Sequence, residues 1–148
     1  MFIASSGGHY KQLMNMKPIM KEYNTLIVTE HDKTQKKDKE VYYLHQVNRK
    51  ELLFPVWMLI DVFKSIHIFN KFKPDVVVTT GVLATIPMCV IAKIKHKKLI
   101  YIESFAKLHS GTMSGKFVYK HHLADHFYVQ WQSMLEVYPN AEYIGALY

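Results

Sequence analysis

Two glycine-bearing loops stand where this chain could do chemistry. The first is Ser5-Ser6-Gly7-Gly8-His9, between a short apolar run at residues 1–4 and a helix-like segment at residues 11–20. The second is Thr79-Thr80-Gly81, which closes a run of three valines. Glycine permits a tight turn and lets a ligand come close to the backbone. A strand, a turn and a helix start converge backbone N–H groups on open space, an arrangement suited to an anion such as a phosphate. His9 adds a base, a hydrogen-bond donor or a metal ligand at the helix entrance. A plain turn with an N-cap serine and a surface histidine accounts for the first loop equally well on its own. Glu30, Glu103-Ser104 and Gln130-Trp131 also follow apolar, strand-like runs.

The elements that must position these groups can be read from the apolar pattern. Runs rich in β-branched or aromatic residues predict strands at 1–4, 25–29, 41–44, 75–80, 99–102, 126–129 and 142–144. Helical segments are expected at 11–20, broken at Pro18, and at 51–72, 82–92, 115–123 and 134–138. Strands that alternate with helices, and that are apolar on both sides, imply a parallel sheet. The expectation is therefore an α/β, Rossmann-like parallel sheet with helices on both faces, forming one domain over residues 1–148. In such folds ligands sit beyond the carboxyl ends of the strands. That is where Ser5 to His9, Glu30, Thr80-Gly81, Glu103-Ser104 and Gln130-Trp131 would gather.

The segment 51–72 stands apart. Its first half, residues 52–60, is apolar almost all round, while Asp61, Lys64 and Ser65 share one face at helical spacing. A helix packed on an open sheet normally keeps one wet face, so the surplus apolar residues want a second partner. A buried core helix and a membrane-interface helix both fit. Leu53, Phe54, Trp57, Met58 and Ile60 are the residues expected at such an interface. Residues 33–40 carry four lysines and no apolar anchor, and read as a solvated loop.

Bulk composition narrows the classes. With 49% apolar and 21% charged residues over 148, the chain can build a core and is not a disordered segment. A net charge of +7 favours anionic partners without choosing among them. No nucleic-acid recognition motif accompanies the charge, so nucleic acid is not expected as a partner. The single Cys89 lies in an apolar run, fits a reducing compartment and reads as a small core residue. His121-His122 and His126 do not make a metal site, because adjacent helical residues point to different faces and no Cys or Asp cluster joins them; no metal or cofactor is expected. The chain opens directly on strand and loop, so no signal peptide is read. The short first strand leaves room for a few preceding residues. No uncharged apolar run reaches the roughly 18 residues of a membrane span.

Taken in order, the motifs become recognisable. Ser5-Ser6-Gly7-Gly8-His9 and Thr29-Glu30 are followed by Lys73-Pro74-Asp75, Thr79-Thr80-Gly81 and Pro87. Tyr101-Ile102-Glu103-Ser104-Phe105-Ala106, Ser114-Gly115-Lys116, Ala124-Asp125, Val129-Gln130-Trp131, Tyr138-Pro139 and Gly145 complete the set. Over nearly the whole chain this resembles the PssD/CpsF-type polysaccharide biosynthesis proteins. Those are bacterial relatives of the membrane-anchor subunit of the two-part GlcNAc transferase of asparagine-linked glycosylation. Tyr10 departs from the leucine common after the histidine, and the chain begins at the strand itself, without the longer amino-terminal region of the eukaryotic subunits.

The resemblance implies the N-terminal, acceptor-side domain of a GT-B glycosyltransferase. It implies that a separate catalytic subunit binds the nucleotide-sugar, and that the acceptor is a sugar carried on a polyprenyl diphosphate. It also implies peripheral association with an anionic membrane surface, at the cytoplasmic face of the cell membrane, in capsular or exopolysaccharide synthesis. On that reading His9 is the first candidate for the base that takes the acceptor proton, and Glu103 the second. Ser5, Ser6, Gly7, Gly8, Thr80, Gly81 and Ser104 are the candidates to meet the acceptor and its phosphates. Two alternatives stay open: a self-sufficient homodimeric glycosyltransferase, and a nucleotide-binding module. The first loop lacks the full G-x-G-x-x-G pattern that the latter would favour.

Overall fold

The structure, a computed structural model, describes residues 1–31, 38, 41–46 and 52–147. Seven strands form one sheet: β1 Phe2–Ala4, β2 Ile27–Glu30, β3 Val41–Leu44, β4 Val76–Thr79, β5 Lys98–Ile102, β6 His126–Val129 and β7 Glu142–Tyr143. Their spatial order is β3-β2-β1-β4-β5-β6-β7, and each pairing is parallel. This is the Rossmann-like sheet that the alternating pattern predicts. The chain runs outward from β1 through β2 to β3, then crosses back to β4 and proceeds the other way. The switch point therefore lies between β1 and β4, where the two glycine loops leave the sheet.

Among the described residues five helices flank it: α1 Gly8–Met14, α2 Lys17–Met20, α3 Phe54–Phe72, α4 Ile86–Ile94 and α5 Met113–Lys120. Alternation along the strands divides the core. Ile3, Val28, Val77, Leu99 and Tyr101 point to the face covered by α3, α4 and α5. Phe2, Ala4, Val78 and Ile102 point to the other face, where α1 and α2 supply Leu13, Met16 and Met20. Cys89 is fully buried among the first group, and burial pushes its thiol up to about 12.

Several boundaries differ from the sequence pattern for identifiable reasons. The first helix starts at Gly8 rather than residue 11, and its N-cap is Gly7 at φ 76°, so no serine caps it. The break precedes Pro18 instead of falling on it. Pro18 sits in the first turn of α2, where its missing N–H is no loss. A 3-10 turn, Leu83–Thr85, precedes α4, and Pro87 again sits in a first turn. Helix α5 starts at Met113, two residues before the expected Gly115, because Thr112 caps it by accepting from the Gly115 N–H. A 3-10 turn at Gln132–Leu135 replaces the expected helical turn at 134–138. Of the lysine-rich stretch 33–40, all but Asp38 lies outside the described residues, as does Glu51.

Helix α3 is the principal surprise. Its polar stripe faces inward: Asp61 and Ser65 are both fully buried. The carboxylate of Asp61 accepts the backbone N–H of His45 at 2.9 Å and lies 3.0 Å from the His45 Nδ1. The Trp57 ring packs against the His45 ring at 4.8 Å. These contacts, just past the end of β3, roll the helix so that its apolar surplus faces out. Leu52, Leu53, Val56, Leu59, Phe63 and Ile66 are exposed. Of the five residues expected at an interface only Leu53 is in this stripe; Phe54, Trp57, Met58 and Ile60 are half-buried.

Candidate functional site

The two loops at the switch point are tied to each other. The Ser5 N–H donates to the Gly81 carbonyl at 3.2 Å. His9 Nδ1 lies 2.7 Å from the Thr80 carbonyl oxygen, and the Thr80 hydroxyl donates back to the His9 carbonyl at 3.0 Å. A carbonyl only accepts, so Nδ1 carries the proton of the neutral ring and Nε2 is the acceptor nitrogen. Burial lowers the pKa of His9 below its ordinary 6.5, against smaller opposing pulls from the Thr80 carbonyl and the Glu103 charge. The half-buried imidazole is thus held neutral, with Nε2 able to take a proton near neutral pH.

The loop atoms divide into those already committed within the protein and those that are not. The Ser5 N–H serves Gly81, the Ser6 N–H reaches Glu30 Oε2 at 3.3 Å, and the Gly81 N–H meets Thr79 Oγ1 at 3.0 Å. Ser104 donates its N–H to Glu103 Oε1 at 2.8 Å. Ser5, Thr80, Gly81 and Ser104 are all buried. Gly7 and Gly8 remain exposed, at the start of a helix that lacks a side-chain cap. Of the seven residues expected to meet the acceptor and its phosphates, Gly7 and Gly8 are therefore the ones with backbone open to a ligand. The others build the scaffold beneath them. Gly81 itself is at φ 84°, and a Cβ there would come within 2.8 Å of the Tyr101 hydroxyl oxygen.

Glu103 takes a different part from the one expected. Its side chain is 1% exposed, and four donors converge on it. Oε1 accepts from the Ser104 N–H and the Thr112 hydroxyl, each at 2.8 Å; Oε2 accepts from the Thr112 N–H at 3.1 Å and the Tyr138 hydroxyl at 2.7 Å. An ionised carboxylate offers about four acceptor sites, so all are taken. This carboxylate holds the loop between β5 and α5. Gly111 in that loop and Gly115 in the first turn of α5 follow from the same network: a Cβ at Gly111 would overlap the Tyr138 hydroxyl, and one at Gly115 would overlap Glu103 Oε2. Tyr101 extends the network towards Gly81, its hydroxyl 3.3 Å from both Thr112 Oγ1 and Ser114 Oγ. Burial, first, and the Glu103 charge both raise the Tyr101 and Tyr138 hydroxyls above their ordinary pKa.

Gln130 and Trp131 brace the same loop from β6. Gln130 Nε2 donates to the Glu103 carbonyl at 2.8 Å, and Trp131 Nε1 to the Phe105 carbonyl at 2.6 Å. Thr112 and Tyr138 were not singled out in the sequence as site residues. Thr112, an N-cap residue just ahead of a helix, carries a readable local signal; Tyr138 stands in the recognised motif set, but nothing near it in the chain points to its partner 35 residues away. Among the described residues no group of three or more His, Cys, Asp or Glu side chains could hold a metal ion. His126 instead pairs with Glu142 at 3.1 Å. A cavity of about 510 Å³ opens at the opposite, amino end of the strands, between Phe2, Ile19, Tyr23, Phe72 and Val78, away from the candidate residues.

Comparison with known proteins bears on this geometry. A family model described as "Oligosaccharide biosynthesis protein Alg14 like" matches residues 1–147. The UDP-N-acetylglucosamine transferase subunit ALG14 of Rattus norvegicus is 31% identical over 118 residues, which cover 72% of this chain and 54% of that protein. The chain thus spans about half the length of the curated relatives it matches. Among solved structures, MurG of Acinetobacter baumannii superposes with a TM-score of 0.70 at 12% identity, over 98% of this chain and 45% of that one. The UDP-GlcNAc 2-epimerase of Methanocaldococcus jannaschii gives 0.67 at 14% identity, over 97% and 44%. At that identity the likeness is one of fold, a GT-B-like Rossmann-type α/β unit.

Proposed function

The chain belongs to the Alg14-like family of oligosaccharide biosynthesis proteins, and from that premise we propose that it is the acceptor-side subunit of a two-component glycosyltransferase. On this reading it forms one GT-B N-domain-like unit, and a separate catalytic subunit holds the UDP-sugar. The acceptor is a sugar borne on a polyprenyl diphosphate, met at the cytoplasmic face of the membrane. The motif set of the PssD/CpsF-type proteins supports a role in capsular or exopolysaccharide synthesis.

One observation carries the proposal: His9, tied to Thr80 at the switch point, presents Nε2 as an acceptor on the carboxyl edge of the sheet. In the transfer step an acceptor hydroxyl gives its proton to His9 Nε2 as its oxygen bonds to the anomeric carbon of the donor sugar. The bond from that carbon to the diphosphate breaks, and its electron pair leaves with UDP. Gly7 and Gly8 offer backbone N–H groups to the acceptor diphosphate. Glu103 keeps the neighbouring loop fixed and, as a nearby negative charge, steadies the imidazolium that forms.

The test is a transfer assay on the chain reconstituted with its partner subunit. His9→Ala should lower kcat by at least a hundredfold, within the usual range for a general base. A His9→Ala pair that turns over at the parental rate refutes the role of His9.

A further inference from the structure

We propose that Tyr10, His31 and Tyr43 form a subsite for the sugar of the acceptor, beside the first glycine loop, and that Tyr10 and His31 set which sugar is accepted. The inference rests on the reading above, which needs an acceptor hydroxyl at His9 Nε2, and it names where the ring bearing that hydroxyl is held. Topology brings the three residues to one edge. Strands β1, β2 and β3 are consecutive neighbours and parallel, so the first loop, His31 and the end of β3 leave the sheet side by side. Tyr43 pairs with Thr29, and alternation from Val28 turns both to the face that α1 covers. His31 follows β2 directly, its N–H donating to the Leu44 carbonyl at 2.9 Å. Its ring meets the Tyr43 ring edge-on, with centroids 5.5 Å apart at 72°.

Tyr10 comes to the same place from α1. Asn15, at the end of that helix, donates to the Leu147 carbonyl at 2.9 Å, and Leu147 donates its N–H to Gln130 at 2.9 Å, so Asn15 marks the flank towards β6. Tyr10 lies about 140° round the helix from Asn15, on the flank towards β3. Burial, and after it the charges of Tyr43 and Asp38, raise the Tyr10 hydroxyl above its ordinary pKa, as a position beside Tyr43 requires. The Asp38 N–H donates to the Tyr43 hydroxyl at 2.8 Å, which fixes that ring.

The chemistry of this edge selects the occupant. All three rings are half-buried. Their apolar faces suit the C–H face of a pyranose, and two phenols and an imidazole answer its hydroxyls. The Thr29 hydroxyl, on the same face in a residue 5% exposed, has no hydrogen-bond partner among the described residues. Rings at 72° do not make the parallel-sided slot that a flat nucleobase needs, so a puckered, hydroxyl-bearing ring fits better.

Binding to the purified chain tests this without turnover. Farnesyl diphosphate, bare or bearing glucose, galactose or N-acetylglucosamine on its terminal phosphate, is titrated calorimetrically. At least one sugar-bearing probe should bind about tenfold tighter than the bare diphosphate. Tyr10→Leu and His31→Ala should each remove most of that gain, and Tyr10→Phe, which keeps the ring face, should retain more of it than Tyr10→Leu. Ile94→Ser, at the far end of α4, should match the parent with every probe, and thermal melts should show every variant folded. In the reconstituted pair Tyr10→Leu should raise KM for the acceptor more than it lowers kcat. The proposal is overturned if no sugar-bearing probe binds tighter than farnesyl diphosphate, or if Tyr10→Leu and His31→Ala both keep the parental preference. It is overturned equally if Tyr10→Leu weakens UDP instead, which would give the rings to the nucleotide. Sugar binding with the expected losses, but no transfer by the reconstituted pair, would leave the subsite standing and count against the functional reading alone.

Discussion

Replacing Glu103 by glutamine separates a loop-holding carboxylate from a catalytic one. Each carboxylate oxygen accepts one backbone N–H and one hydroxyl: Ser104 N–H and Thr112 Oγ1 on one, Thr112 N–H and Tyr138 on the other. A glutamine must put its NH2 at one of the two places. The hydroxyl there can turn and accept, but the backbone N–H cannot, so one buried donor faces another whichever way the amide lies. The remaining bonds also lose the assistance of the negative charge. One stranded buried donor and the weakened partners together cost about 3 kcal/mol. For a chain of this size that lowers the thermal midpoint by about 10 °C. Urea unfolding of the two proteins, followed by far-UV circular dichroism, reads the difference directly. Tyr138→Phe, which takes one donor from Oε2 but leaves it the Thr112 N–H, should cost less than Glu103→Gln. If Glu103→Gln leaves stability within about 0.5 kcal/mol of the parent while abolishing transfer, the loop-holding account is wrong and the carboxylate belongs to the chemistry.

Two further outcomes follow from the geometry. Because burial lowers the pKa of His9 below 6.5, the folded chain resists protonation there and the unfolded chain does not; the stability this group allows is intact above 6.5 and declines as pH falls towards the folded value. The acid limb of kcat/KM for the reconstituted pair should accordingly lie below 6.5, and it should move lower still in Glu103→Gln, which loses the charge that favours the imidazolium; a limb at or above 6.5 contradicts this. Asp61→Ala should cost about 2–4 kcal/mol in urea unfolding, since it leaves the His45 N–H without its acceptor and opens a hole under α3, whereas a change under about 0.5 kcal/mol would mean that His45 and Asp61 do not moor the helix.

All seven strands could be read from the chain because each is a compact apolar or β-branched run, and the run lengths alone place them within a residue or two. Helix edges were less legible where a loop residue took over the cap. Gly7 opens α1 without any side-chain signal, whereas Thr112 opens α5 with one. The rotation of α3 could not be read locally. The segment is apolar on nearly every side, so periodicity does not choose its inner face; His45, 16 residues before Asp61, does. The same limit applies at the site. His9 and the two glycine loops announce themselves by type and place. That Glu103 is saturated depends on Thr112 and Tyr138, 9 and 35 residues along the chain. A lone glutamate at a strand end does not announce, from its neighbours in the chain, that four donors will converge on it.

The division of labour between two polypeptides is met most directly by calorimetric titration of UDP-N-acetylglucosamine into the isolated chain and into the chain joined to its partner. The isolated chain should give no saturable heat at millimolar nucleotide-sugar, and clear binding should emerge once the partner is present. Micromolar binding by the isolated chain, with sugar transfer unaided, would contradict it.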